Sequence, residues 1–173
     1  MDNRSVRLSQ LYELQKVAFI NVQYYAERIA LWNRINFGVQ FAIALASSAA
    51  VGALVKSTAK ELPSDYALWL AGFSSLLAIY HSSANITGKI GQWERMHSAY
   101  KMLYHSAETL AKRTIGNNAL TPEQEAVTQM LELQLAALGP QDDIAPIESI
   151  LKAAQDKVEK ALPDSYYYLK DAS

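Results

Sequence analysis

The sequence predicts an all-α fold. It consists of a membrane helical hairpin of two transmembrane helices, a long N-terminal amphipathic helix, a cytoplasmic stalk continuing the second span, and two shorter C-terminal helices. Three observations carry that expectation. Only 7 glycines and 5 prolines punctuate 173 residues, which favours long uninterrupted helices over a loop-rich β fold. Two uncharged runs, 35–55 and 66–88, hold 21 and 23 residues, and a helix of about 20 residues crosses a hydrocarbon core of roughly 30 Å. Lysine and arginine flank these runs unevenly, with five in residues 1–35 and five in 87–113 against two in the intervening loop, Lys56 and Lys60. Basic residues stay on the cytoplasmic side, so both ends are expected there. The expected organisation is a two-span membrane domain over 1–113, with spans near 36–55 and 66–86, followed by a cytoplasmic acidic helical tail over 114–173.

The elements follow in order. Over residues 5–35, Leu11, Ala18, Val22, Tyr25, Ile29 and Trp32 recur at helical spacing along one stripe, and Arg4, Arg7, Lys16, Arg28 and Arg34 make the segment basic. The first apolar run, FGVQFAIALASSAAVGALV, comes next. KSTAKELPSD, Lys56 to Asp65, reads as a loop with a proline and four charges. The second run is apolar at first and polar at its end, with His81, Ser82, Ser83 and Asn85. No firm stop follows: Ile86, Ile90, Trp93, His97, Tyr100, Tyr104, Ala107 and Ala111 keep helical spacing, so a stalk is expected to run on to about Arg113 and to end in a turn at Gly116-Asn117-Asn118. Thr121 as N-cap and Pro122 at the first position open a fourth helix that closes at Gly139-Pro140. A fifth starts at Pro146 and stops before Pro163.

Mean hydropathy is -0.05, an ordinary value for a water-soluble chain. A soluble bundle with a very apolar hairpin at its core is therefore the competing reading. Small residues argue for lipid. Ala42, Ala46 and Ala50, a parallel row Ala44, Ser48 and Gly52, and Ser74, Ala78 and Ser82 recur every four positions. Such rows let helix backbones approach closely where hydrophobicity does not drive association. Ala42, Ala46, Ala50, Gly52 and Ala78 are the expected helix-packing positions.

Charge is divided along the chain. Residues 1–120 carry 12 Lys/Arg and 7 Asp/Glu, whereas 121–173 carry 4 and 10. This either describes two solvated faces or sets the basic part against anionic headgroups and the acidic part in water. There are no cysteines, which removes disulfides and thiolate chemistry. Glu94 with His97 and His105 with Glu108 stand three residues apart, but one Glu-x-x-His and one reversed pair do not make a bundle di-metal set. Asp142-Asp143 reads as a solvated loop pair. No nucleophile, phosphate-binding or dinucleotide fingerprint is present, so neither an enzyme nor a cofactor, metal site or catalytic residue is expected. The polar residues within the runs, Gln40, Ser47, Ser48, Ser74, Ser75, His81, Ser82 and Asn85, disfavour lipid and are candidates for interhelical hydrogen bonds or for lining an aqueous path in an oligomer.

A basic helix carrying YYAERIALWNRINF leads into a span, a short loop joins a second span, and IGQWERMHSAYKMLYHSAETL continues as helix. This layout resembles the SLATT family, two-transmembrane effector domains associated with bacterial nucleotide-second-messenger and conflict systems. The resemblance covers roughly residues 8–112. It implies an oligomeric, pore-forming or membrane-disrupting effector of antiviral (anti-phage) defense in the bacterial inner membrane. The implied partners are membrane lipid, further copies of the chain, and a sensor or second-messenger-producing protein or ligand as trigger; no nucleic acid is expected. A helical scaffold or adaptor without conductance, soluble or membrane-anchored, is the alternative.

Overall fold

A computed structural model of the protein describes residues 3–58, 64–116, 121–142 and 145–162. Five α-helices make up its elements: α1 Asn3–Thr58, α2 Ser64–Ser83, α3 Ile86–Gly116, α4 Pro122–Leu138 and α5 Glu148–Ala161, with a single 3-10 turn at Gly139–Gln141. Among the described residues there is no strand. The all-α expectation therefore holds. The amphipathic segment and the first apolar run form one continuous helix of 56 residues. Nothing in the sequence between them breaks the backbone ladder: no proline intervenes, and the single Gly38 costs a helix only about 1 kcal/mol. The ends of the expected 56–65 loop are helical at 56–58 and 64–65; its centre, 59–63, lies outside the described residues, as do Asn117 and Asn118 of the expected turn.

The expected continuous stalk is corrected. α2 stops at Ser83 and α3 starts at Ile86, with Asn85 in the left-handed region at φ 44°. Asparagine is one of the few non-glycine residues that visits this region at low cost. The amide of Ala84 donates to the Tyr80 carbonyl at 2.9 Å and that of Asn85 to Ser82 at 3.2 Å, closing α2; Lys89 donates to Asn85 at 3.1 Å, opening α3. The Asn85 side chain folds over Gly88, where an added Cβ would lie 2.5 Å from its Oδ1. Hydrophobic spacing continues across the break, which is why periodicity alone does not reveal it.

The C-terminal helices match their start and stop signals closely. Thr121 caps α4 through a reciprocal capping box: the Gln124 amide donates to Thr121 Oγ1 at 3.3 Å and the Thr121 amide to Gln124 Oε1 at 3.0 Å. Such a cap contributes about 1 kcal/mol. α5 begins two residues after Pro146, with Ile147 as its cap residue.

The chain divides into two compact units. The first joins Met1–Arg28 to Trp93–Ser173. Its core takes Leu11, Leu14, Ala18 and Tyr25 from α1 and Met96, Tyr100, Leu103, Ala107 and Leu110 from α3. α4 adds Leu131, and α5 adds Ala154 and Val158. Leu11, Ala18, Tyr25, Tyr100 and Ala107 lie on the stripes that the sequence spacing selects, whereas Leu14, Met96, Leu103 and Leu110 lie beside them and Val22, His97 and Tyr104 of the stripes stay half-buried; each fully buried Leu or Val stabilises the fold by about 1.5–3 kcal/mol. α5 is held by a cluster of Tyr12, Val158 and Leu162, on which Phe19, Ile20 and Tyr104 pack. The Tyr12 hydroxyl donates to the Leu162 carbonyl at 2.6 Å, and Phe19 stacks on Tyr104 at 4.8 Å.

The second unit, Ile29–Gln92, has the opposite character. Large apolar side chains point outward: Phe37, Phe41, Leu45 and Val51 on α1, and Leu68, Trp69, Phe73, Leu76 and Ile79 on α2. Trp69 reaches 80 % exposure. Within the described part of the first apolar run and of α2, the buried side chains are the small ones Ala46 and Ser74. Among the described residues, α1 is the one helix long and apolar enough to cross a membrane by length and composition, within Ser9–Gly52. That measure supports one of the two expected spans.

Candidate functional site

Two constellations of polar side chains stand out, one in each unit. In the second unit the polar residues of the apolar runs divide by role. Ser48 donates to the Ala44 carbonyl at 2.8 Å, Ser74 to Ala71 at 3.0 Å and Ser75 to Ala71 at 2.8 Å. Each hydroxyl is thus satisfied by its own helix, as serine in an apolar helix commonly is. His81 does something different. Its Nε2 lies 2.5 Å from Asn36 Oδ1, a hydrogen bond between α2 and α1 near the Arg34 end of the first run. Gln40, Ser47, Ser82 and Asn85 are exposed. Of the small-residue positions, Ala46 is buried, Ala42 and Ala50 are half-buried, and Gly52 and Ala78 are exposed.

In the first unit, Asp142 is the centre of a clamp. The Tyr25 hydroxyl of α1 donates to its Oδ1 at 2.6 Å, and the Tyr100 hydroxyl of α3 donates to its Oδ2 at 2.5 Å. The two rings stack at 6.0 Å. The segment joining α4 to α5 is therefore pinned to α1 and α3 by one carboxylate that receives two charge-assisted bonds, the stronger class of hydrogen bond. Burial first, and then the hydrogen bond and charge of Asp142, push both phenols well above their ordinary value of 10. Beside the clamp, Tyr24 accepts a hydrogen bond from the Ile147 amide at 3.2 Å and another from Arg28. The buried Arg28 guanidinium lies 4.5 Å over the Trp93 ring, a cation–π contact in a desolvated setting. One turn of α1, Tyr24 to Arg28, thus anchors both the α4–α5 junction and the start of the first unit's share of α3.

Sequence reasoning expected Asp142 to be solvated, and the structure corrects this. The available signal was on the other helices: Tyr25 and Tyr100 both fall on predicted inward stripes, and an inward tyrosine hydroxyl requires a partner. Asp143 lies outside the described residues, as does the tyrosine cluster 166–168. On α3, Glu108 binds Lys112 at 2.8 Å and His105 at 3.5 Å. The hydrogen bond from Lys112, opposed by partial burial and reinforced by His105, holds the Glu108 carboxyl below its usual range. Among the described residues no three metal-ligating side chains converge. Beyond the clamp, a groove of about 620 Å³ runs between α3 and α4, lined by His105, Thr109, Leu110, Arg113, Gln124 and Val127 among others.

No protein family model, curated protein or solved structure matches this chain.

Proposed function

We propose that the protein is an oligomeric two-span membrane effector that forms a pore or disrupts the bilayer. The observation that carries this reading is the outward apolar surface of α1 and α2. Nine large hydrophobic side chains from Phe37 to Ile79 are exposed, while the buried positions in the described part of that same stretch are Ala46 and Ser74. That inverts the arrangement of a soluble bundle, in which the large residues are inside. It suits helices whose outer faces meet lipid and whose contact is made by small residues. In this reading α1 crosses once through its uncharged run, α2 returns, and both ends lie on the cytoplasmic side of a bacterial inner membrane. Two helices enclose no pore, so the active form contains several copies. The resemblance to the SLATT layout supplies the biological setting, anti-phage defence, with a partner protein or ligand acting on the cytoplasmic helices as trigger.

Two measurements test the proposal. Alkaline carbonate extraction is expected to leave the protein in the membrane pellet; release into the supernatant overturns the membrane assignment. Expression in bacteria, with the trigger present, is expected to collapse membrane potential and stop growth. Intact potential at verified expression leaves a membrane scaffold instead.

A further inference from the structure

In the second unit, α1 and α2 meet along a narrow strip. On α1 it holds Asn36, Val39, Ile43, Ala46 and Ala50, and on α2 Leu70, Ser74, Leu77 and His81, all buried or half-buried. The helices run antiparallel there, since His81 near the end of α2 bonds Asn36 at the start of the first uncharged run.

An α-helix turns about 100° per residue, which places each exposed residue around its axis relative to that strip. On α2 the exposed residues separate by size. Phe73, Tyr80, Trp69 and Leu76 lie about 60–120° to one side of the strip, and Ala71, Ser75, Ala78 and Ser82 lie about 80–140° to the other. On α1 the exposed residues Asn33, Gln40, Ala44 and Ser47 form a row about 60–120° from the strip. Phe37 borders this row and Val51 ends it, while Phe41 and Leu45 lie further round. Ser48 falls outside the row, its hydroxyl bonded to the Ala44 carbonyl.

Both small or polar rows are displaced from the strip in the sense in which the chain winds. Seen from one end, two antiparallel right-handed helices wind in opposite senses. Where they face each other, the two rows therefore come to the same side of the pair. That side is uncharged: Arg34 and Asp65, which bound the two runs, lie about 140–160° round the other way. It is most polar where Asn33, Gln40 and Ser82 gather, at the end marked by the Asn36–His81 bond, and it is thus continuous with the aqueous side of the unit. In a bilayer the aromatic and leucine faces suit lipid, whereas carboxamides and hydroxyls at the same depth turn away from it.

We propose that this shared face of α1 and α2 lines a water-filled path through the assembled protein, and that the path takes small hydrated solutes without sorting ions by sign. Sorting by sign uses rings of charged side chains, and the face carries none. The inference rests on the two-span oligomeric reading above and adds which side of each copy faces the lumen and what passes along it.

The chain has no cysteine, so single introduced ones report their own surroundings. Ala44→Cys and Ala78→Cys put a thiol on the face from each helix. Leu45→Cys and Ile79→Cys put one a single residue further on, at nearly the same depth but turned by about 100°. Disrupted membranes from cells making the full chain are treated with a cationic and an anionic methanethiosulfonate, and rates are normalised to a free thiol in water. Ala44→Cys and Ala78→Cys are expected to react about tenfold faster or more than their neighbours, because a charged reagent enters hydrocarbon at high cost. The normalised rates with the two reagents are expected to agree within about threefold. Equal rates within each pair, or faster reaction at Leu45→Cys and Ile79→Cys, overturn the water-lined face. Reaction with one reagent alone overturns the absence of charge sorting. Slow reaction at all four positions also overturns the path, and an Ala44→Cys disulfide dimer formed on oxidation then assigns the face to a second copy. Carbonate extraction of the same membranes separates the two failures: a pelleted protein with a dry face sinks this inference alone, whereas a released one sinks the membrane reading.

Discussion

The two units of this chain put their large side chains in opposite places. In the first, α1 and α3 bury Leu11, Tyr25, Tyr100 and Leu103 and leave lysines and glutamates outside. In the second, α1 and α2 bury Ala46 and Ser74 and leave Phe41, Leu45, Phe73 and Leu76 outside. One helix, α1, belongs to both and changes character along its length without changing conformation. Backbone hydrogen bonding makes the helix in either case; the side chains decide which solvent it suits. In water, burial of large apolar groups stabilises a fold. In lipid that gradient disappears, and close packing of small residues takes its place.

The comparison is broken most directly by a charge on each unit. Leu45→Arg places a cation in the middle of the proposed first span. It costs about 2.5–3.5 kcal/mol or more if that position lies in hydrocarbon and within about 0.5 kcal/mol if it faces water. Carbonate extraction is expected to show it lost from the membrane fraction, while Val17→Arg, on an exposed position of the same helix in the first unit, extracts like the parent. Equal behaviour of the two variants would erase the distinction between the units.

At the clamp the expected effect is on stability and not on location. Asp142→Ala leaves the Tyr25 and Tyr100 hydroxyls without their acceptor and is expected to destabilise the first unit by about 3–6 kcal/mol, given about 1.5–3 kcal/mol for each of the two hydrogen bonds to a charged group. Asp142→Asn retains one good acceptor and is expected to lose about half of that. Thermal melting followed by circular dichroism reads both, and unchanged melting in Asp142→Ala would return Asp142 to the status of a solvated loop residue.

The clamp also has a pH signature. Both phenols titrate above 10 in the fold and near 10 when unfolded. Their contribution is therefore complete below about pH 10 and is lost as pH rises beyond it, because the unfolded tyrosines then ionise and the folded ones do not. Ultraviolet titration is expected to show a late-ionising class of tyrosines that appears together with loss of helix signal. Tyr25→Phe and Tyr100→Phe are each expected to shrink that class.

The smallest effect belongs to His97, which burial, and then the charge of Lys101, hold below its ordinary value of 6.5. The unfolded chain takes up this proton more readily than the fold. The stability contribution is thus complete above about pH 6.5 and falls as pH drops through it. His97→Gln is expected to flatten that part of the stability profile; an unchanged profile assigns it to another group.

Much of the architecture was legible because it depends on local rules. Leu11, Ala18 and Tyr25 of the first stripe and Trp93, Tyr100, Ala107 and Ala111 of its counterpart are buried in the first unit, since period-3.6 spacing selects one helix face, while Leu14, Met96, Leu103 and Leu110 beside the stripes complete that core. The Thr121-Pro122 start of α4 and its Gly139-Pro140 stop were equally plain, as capping chemistry is read within four residues. The break at Asn85 was not legible. Its apolar spacing runs straight through, and one residue at positive φ with its amide over Gly88 leaves no mark on a hydrophobic pattern. The Asp142 clamp was hidden for a different reason, that its partners lie 117 and 42 residues away.

The sequence by itself determined an all-α chain, where its helices begin and end apart from one break, and which faces are apolar. Those follow from backbone hydrogen bonding, side-chain period and capping, all of which act over a few residues. Only the tertiary structure decided which apolar faces are satisfied within the chain. The faces of α1 and α3 in the first unit are covered, the outer faces of α1 beyond Phe37, of α2 and of α4 are not, and Asp142 is a bonded residue rather than a solvated one. Burial and hydrogen-bond partnership belong to pairs of segments distant in sequence, and no local pattern contains them.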